Sequence, residues 1–106
     1  MTNKFLSLLG MAKKAGRLSC GYEKVLESVH RKKARAIFAA DDLSEKTLRG
    51  IQYACEETGN EVLRLPVSMF EVSNAVGQKT GIVSVEDKGF AGKLLMYYET
   101  DMSGKV

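Results

Sequence analysis

The segment Gly16–Lys24 contains the residues whose types and spacing most readily suggest chemistry. Glycines stand at positions 16 and 21, Ser19 lies between them, and Arg17 and Lys24 add positive charge. A helix that begins after a glycine leaves backbone N–H groups free beside the positive end of the helix dipole. Such a helix start can bind phosphate or another anion. Because many helices begin in this way and bind nothing, the segment alone predicts either an anion site or an ordinary helix start.

Cys20, Cys55 and His30 are the residues that a thiol- or imidazole-based site would need. The two cysteines lack C-x-x-C spacing and the chain has one histidine, so no zinc ligand set is present in the sequence. No base partner for Cys20 is evident, and we expect two buried thiols rather than a nucleophile. We expect His30, which precedes three basic residues, to be a partly exposed helix residue. The sequence thus predicts no catalytic residue, no metal site and no cofactor.

Asp41 and Asp42 follow an apolar run that is typical of a strand, and open sheets bind ligands at the carboxyl ends of their strands. A metal or phosphoryl-acceptor site is one interpretation of the pair. The spacing Asp42-x-x-Glu45 also matches a capping box, so we expect Asp42 to cap the third helix. The sequence has no glycine-rich phosphate loop after a strand and no nucleophile elbow. We therefore predict that the protein is not an enzyme.

Length and composition indicate one ordinary soluble domain. The chain has 106 residues, of which 44% are apolar and 27% charged, enough for a real core. No apolar run approaches the ~20 residues that span a bilayer, and no signal-peptide cleavage site follows the N-terminus. We expect a cytoplasmic protein without membrane association.

Charge is distributed unevenly along the chain. Residues 1–50 carry eleven Lys/Arg and five Asp/Glu, whereas residues 51–106 carry five and eight. A basic half joined to an acidic half suggests one face for a polyanion. Two groups supply most of the positive charge of residues 1–50. They are Lys13, Lys14, Arg17 and Lys24, and then Arg31, Lys32, Lys33 and Arg35. Aromatic content is low, at 8%, without the aromatic signature of an RNA-recognition motif, which favours folded RNA over single strands.

Stripes of apolar residues at helical spacing alternate with short apolar runs, which predicts alternating helices and strands. Helices are predicted over residues 4–15 and 22–32, from Asp42 to about Thr58, from Ser68 to about Val76, and after Asp87; strands are predicted around Leu18 and over 34–40, 61–65 and 81–85. This order predicts a single three-layer α/β/α sandwich with a mixed, mainly parallel central sheet. We expect this domain to cover residues 1–99 and to be followed by a flexible tail over residues 100–106.

The order of short motifs resembles the ribosomal protein 7Ae/30e family, and within it the small bacterial YlxQ-like branch. The motifs run from Leu8-Leu9-Gly10-Met11-Ala12-Lys13-Lys14-Ala15-Gly16 to Asp87-Lys88-Gly89-Phe90-Ala91, and include Gly21, Lys33-Ala34-Arg35-Ala36-Ile37, Ala40-Asp41-Asp42 and Val72-x-x-Ala75-Val76-Gly77. The resemblance covers nearly the whole chain. It implies a compact α/β/α protein that binds kink-turn RNA.

In this family, a Gly-x-Asn-Glu-x-x-Lys motif at the start of the second helix reads the sheared G·A pairs of the kink. Here Gly21 keeps the glycine, Tyr22 takes the variable place, Glu23 replaces asparagine, Lys24 replaces glutamate and Glu27 replaces lysine. An ionised glutamate only accepts hydrogen bonds, whereas asparagine donates and accepts. The fold therefore transfers from the family more readily than its RNA specificity.

The second RNA-facing loop of the family matches Gln78, Lys79 and Thr80, which we expect to lie across from the start of the second helix. The resemblance thus implies an RNA-binding site at Gly21, Tyr22, Glu23, Lys24, Gln78, Lys79 and Thr80, and we add Lys14, Arg17 and Ser19 to it because they are close to Gly21 in sequence. It implies structured RNA as the partner, with ribosomal RNA a candidate, association with ribosomes or translation, and no preference for DNA. The alternative is a protein–protein adaptor that kept the fold and lost RNA specificity, which the substitutions at Glu23 and Glu27 favour.

Overall fold

The computed structural model describes residues 3–103, which form five helices and four strands in the predicted order. The helices are α1 (Asn3–Lys14), α2 (Tyr22–His30), α3 (Glu45–Thr58), α4 (Met69–Val76) and α5 (Lys88–Met102). The strands are β1 (Leu18–Cys20), β2 (Ala36–Ala39), β3 (Val62–Arg64) and β4 (Ile82–Val85). Within these residues, no helix is both long enough and apolar enough to cross a membrane.

The sheet is covered on both faces, which confirms the three-layer sandwich. In β2, Phe38 packs with the helices α1, α4 and α5, whereas its neighbour Ile37 packs with α2 and α3. This alternation follows from the two-residue period of a strand, and both faces are buried because β2 is apolar throughout. The rings of Phe5 and Phe38 meet edge to face with centroids 5.0 Å apart, joining α1 to the sheet.

The strands lie in the order β1-β4-β2-β3. β1, β2 and β3 run in the same direction, as the helix–strand alternation predicts, and β2 pairs with β3 in parallel. β4 runs the opposite way and lies between β1 and β2. The sheet is mixed, as expected. Three of the four strands within residues 3–103 share one direction, but two of the three strand pairings are antiparallel because β4 lies between β1 and β2. Local sequence patterns do not specify which strands become neighbours.

The C-terminal helix is longer than predicted. α5 continues to Met102, so the expected boundary at residue 99 falls inside a helix, and residues 100–102 are not a tail. Ser103 is the C-cap of α5, and the remaining residues of the expected tail, 104–106, lie outside the described residues, as do Met1 and Thr2.

Two predicted helix starts are confirmed and one is wrong. Ser68 caps α4 by accepting from the N–H of Glu71, and Asp87 opens α5 as predicted. Asp42 does not cap α3, however, because Ser44 holds that position and accepts from the N–H of Thr47 at 3.2 Å. The Asp42 carboxylate accepts instead from the N–H of Met69 at 2.8 Å. It therefore links the loop after β2 to the start of α4, a long-range contact that local spacing cannot reveal.

Candidate nucleic-acid interface

The first turn of α2 is set by the backbone of Gly21, which has φ 91° and ψ 158°. This region of backbone space is almost exclusive to glycine. No side chain caps this helix start within the described residues, so its first-turn N–H groups face outward at the positive end of the helix dipole. The start of α2 therefore has the glycine-flanked, uncapped geometry that the Gly16–Lys24 segment suggested.

The N–H of Gly21 lies between two acceptors, the hydroxyl oxygen of Thr80 at 3.0 Å and the carbonyl of Ile82 at 3.1 Å. The Thr80 hydroxyl donates in turn to the Ile82 carbonyl at 2.7 Å. Ser73 closes the other side of the loop, since its hydroxyl accepts from the Thr80 N–H and donates to the Thr80 carbonyl. These bonds hold the loop at residues 77–80 directly against the start of α2, as the resemblance to the family implied.

Thr80 itself is only 4% exposed, and its hydroxyl bonds the backbone of Gly21 and Ile82. Its predicted role as an RNA-facing side chain is therefore corrected to that of a buried connector between two segments. Sequence reasoning missed this because a threonine in a glycine- and lysine-containing loop is usually exposed. Gln78 and Lys79, by contrast, are exposed beside it.

Tyr22, Glu23 and Lys24 occupy the first turn of α2 and are all exposed. The Tyr22 ring lies across α3 at Gly50, where an added Cβ would come within 2.5 Å of the tyrosine hydroxyl. Gly50 is thus a neighbour of the site that sequence reasoning missed. Its only signal was a glycine inside a helical pattern, which costs about 1 kcal/mol relative to alanine.

The predicted site residues divide between the two ends of β1. Leu18 pairs with Val85 and Cys20 pairs with Val83. Arg17 precedes β1, and its carbonyl accepts from the N–H of Glu86, whereas Gly21 follows β1 at the opposite end. Lys14, which ends α1 shortly before β1, belongs with Arg17. The structure therefore joins Gly21–Lys24 to the loop at residues 77–80, and separates Lys14 and Arg17 from them.

Ser19 lies midway between these two ends, on β1. It is partly buried, and its hydroxyl donates to the Glu86 carboxylate at 2.8 Å. β1 is at the edge of the sheet. Ser19 therefore contributes a polar surface between the two groups of predicted site residues.

Both cysteines are free thiols buried in the core, as expected. Burial raises the pKa of Cys20, and the positive charges of Lys13 and Lys24 only partly oppose that effect. Burial also raises the pKa of Cys55. A thiol held protonated and away from solvent is a poor nucleophile. Among residues 3–103, no three His, Cys, Asp or Glu side chains come close enough to hold a metal ion.

Comparison with known proteins identifies the fold and its relatives. RNA-binding protein YlxQ of Enterococcus faecium is 28% identical, over 85% of this chain and 86% of the relative. RNA-binding protein YlxQ of Bacillus subtilis is 25% identical, over 87% of this chain and 92% of the relative. These relatives confirm the resemblance to the YlxQ-like branch.

Two solved structures share the fold. A Bacillus halodurans protein of unknown function matches with a TM-score of 0.84 and 25% identity, over 92% of this chain and 99% of that one. A 15.5kD RNA binding protein of Giardia lamblia matches with a TM-score of 0.75 and 17% identity, over 94% of this chain and 92% of that one. Residues 3–94 match the sequence model of the ribosomal protein L7Ae/L30e/S12e/Gadd45 family, and the chain belongs to that family.

Proposed function

We propose that this protein is a non-catalytic RNA-binding protein that binds structured RNA of the kink-turn type. The binding surface consists of the first turn of α2 and the loop at residues 77–80. The observation that carries the proposal is the N–H of Gly21, which bonds Thr80 and Ile82 and so holds both segments in one surface. Family membership and two relatives named as RNA-binding proteins support the same function.

The side chains on this surface offer several kinds of contact to RNA. Lys24 and Lys79 are exposed cations that can pair with phosphates, while Gln78 can both donate to and accept from base edges. The carboxylate of Glu23 can accept hydrogen bonds from base amino groups, which guanine and adenine both present. We propose that Glu23 reads amino groups where the family asparagine both donates and accepts.

Glu27, which replaces the family lysine, repels phosphates less than a lone carboxylate would. Its carboxylate lies 3.5 Å from the guanidinium of Arg31, one helical turn along. Both side chains are largely exposed, so this pair contributes little to fold stability. It does place a positive charge beside the negative one on the surface that would face RNA.

The cellular setting that we propose is ribosomal or translational, in the cytoplasm, with structured RNA such as ribosomal RNA as the partner and no preference for DNA. A first check is the absorbance of the purified protein. The chain has no tryptophan and four tyrosines, so bound RNA would strongly raise the ratio of absorbance at 260 nm to that at 280 nm.

A protein–protein adaptor is the second candidate function, favoured by the exposed carboxylates of Glu23 and Glu27 where the family has asparagine and lysine. An adaptor would keep its partner after ribonuclease treatment and would show no RNA shift. An RNA-binding protein would lose nucleic-acid-dependent partners under the same treatment.

Titration with two RNAs tests kink-turn recognition. We expect a kink-turn RNA to bind more tightly than a matched RNA whose sheared G·A pairs are replaced, by about 1–3 kcal/mol per pair that is read. Electrophoretic mobility shift or fluorescence anisotropy would measure both. Equal affinity for the two RNAs would reject kink-turn recognition and leave general RNA binding in place.

Replacing Lys24 or Lys79 with alanine tests the phosphate contacts. Each variant should weaken RNA binding at low salt and reduce the slope of log affinity against log salt by about 1, because one counterion fewer is released. Lys93→Ala is the matched control, since Lys93 is exposed on α5 in the opposite helix layer. The contact assignment fails if Lys24→Ala and Lys79→Ala behave like Lys93→Ala.

A further inference from the structure

A second basic surface extends from the α2 site to the other end of the sheet. Two adjoining clefts form it and share the residues Lys33 and Glu86. One runs beside α2 from Lys24 to Arg31, and the other opens near Arg17 at the far end of β1. We call the combined surface the cationic groove; its basic residues are Arg17, Lys24, Arg31, Lys32, Lys33 and Arg35.

The charge of the cationic groove is strongly one-sided. Its lining has six basic side chains against two acidic ones, Glu27 and Glu86, and all six basic residues are exposed. Within residues 3–103, Arg31 is the only one of the six in an ion pair, with Glu27. Five cations therefore face the same surface without a carboxylate partner, an arrangement that attracts a polyanion.

Lys32 has an unusual backbone conformation. It lies two residues beyond the end of α2 with φ 60°, and it is the only non-glycine residue with positive φ in the described chain. Its N–H donates to the carbonyl of Val29, and the next N–H, of Lys33, donates to that of Ser28. Glycine usually holds this left-handed position at a helix end, because a side chain there is strained. Lys32 thus places one cation of the groove at a position where glycine would be less strained.

We infer that the cationic groove binds the phosphate backbone of a double-stranded RNA stem, continuous with the element bound at the start of α2. The inference rests on the proposed RNA-binding function and extends it to a second contact region. Lys24 lies in both surfaces and so connects them. Double-stranded RNA is the partner that fits, because its deep major groove hides the bases and leaves phosphates and riboses for recognition. A groove that, among residues 3–103, carries five unpaired cations and no apolar side chain in its lining suits that backbone.

The test compares the variant Lys33→Gln/Arg35→Gln with the control Lys4→Gln/Lys93→Gln, which makes the same charge change in the α1 and α5 layer. The probes are a kink-turn RNA with short stems and the same RNA with one stem lengthened. Wild type and control should bind the long-stem RNA more tightly than the short-stem RNA. The groove variant should lose that advantage and keep its affinity for the short-stem RNA.

Salt dependence gives a second readout on the long-stem RNA. Loss of two phosphate contacts should lower the slope by about 1.4–1.8, so that between 50 and 200 mM salt the groove variant loses affinity about tenfold less than wild type does. A slope and a stem-length advantage equal to those of the control would overturn the inference. Polyglutamate is a second probe. If wild type and control bind polyglutamate, and the groove variant loses that binding but keeps its RNA binding, the inference is overturned in favour of an acidic protein partner.

Lys32→Gly distinguishes the effect of the Lys32 charge on RNA binding from the effect of its positive φ on stability. Relief of the positive φ should raise the thermal midpoint, while affinity for the long-stem RNA should fall. A higher midpoint with unchanged long-stem affinity would contradict a role for Lys32 in binding. Failure of the proposed kink-turn recognition is recognised separately, because it appears as equal binding of G·A-paired and G·A-replaced RNA by the wild-type protein.

Discussion

Gly21→Ala should destabilise the protein by about 1–3 kcal/mol and sharply weaken RNA binding. The φ of 91° and ψ of 158° at Gly21 are strained for any residue with a Cβ. An added Cβ would meet no atom within 4 Å, so the cost comes from the backbone alone. If the backbone relaxes to relieve that cost, the Gly21 N–H leaves Thr80 and the two segments of the proposed RNA-binding surface separate. Chemical denaturation and RNA titration would measure the two effects.

Gly59→Ala is the matched control for this prediction. Gly59 also has positive φ, at 77°, and open space around it, but it ends α3. Its replacement should destabilise the fold by about 1–2 kcal/mol and leave RNA affinity unchanged under conditions where both variants are folded. Wild-type RNA affinity in folded Gly21→Ala would show that the start of α2 is not the RNA site.

Thr80→Val should lower the free energy of unfolding by about 1–3 kcal/mol, because the buried hydroxyl that joins Gly21 to Ile82 is lost without a change of side-chain shape. We also expect weaker RNA binding, since the loop at residues 77–80 is then no longer held against α2. Hydrogen exchange at the Gly21 amide should accelerate in this variant. Denaturation, amide exchange and RNA titration would be measured on the same protein preparation.

Thr80→Ser keeps the hydroxyl and removes one methyl group, at a cost of about 0.8 kcal/mol. It should retain the slow exchange of the Gly21 amide and near wild-type RNA affinity. If the serine and valine variants lose the same affinity, the hydroxyl bridge is not what positions the site, and the methyl packing of Thr80 is responsible instead.

Much of the fold could be predicted because its signals are local. The caps of α4 and α5 at Ser68 and Asp87 depend on side chains three residues from the N–H groups that they satisfy. Asp42 shows the limit of this reasoning. Asp42 has capping-box spacing to Glu45, but its carboxylate accepts instead from the N–H of Met69, 27 residues along the chain. A nearer serine, Ser44, caps α3 instead.

The candidate site was predicted unevenly, because the family resemblance and closeness in sequence each contributed a part of it. Gly21 and the loop at residues 77–80 were expected to face each other, and they do, through one hydrogen bond from Gly21 to Thr80. Arg17 was placed in that site because it is close in sequence. A strand of only three residues nevertheless carries Arg17 to the opposite end of the sheet, since an extended chain rises about 3.3 Å per residue.

Residue types and periodicity were sufficient to predict the helices and strands, the three layers, the buried thiols and the start of α2 after Gly21, because each depends on neighbours within a few residues. The position of β4 between β1 and β2, the burial of Thr80, the approach of Tyr22 to Gly50 and the joining of two basic clusters into one groove depend on tertiary packing. Such contacts join residues far apart in the chain, and their geometry is decided only when the sheet and both helix layers pack together.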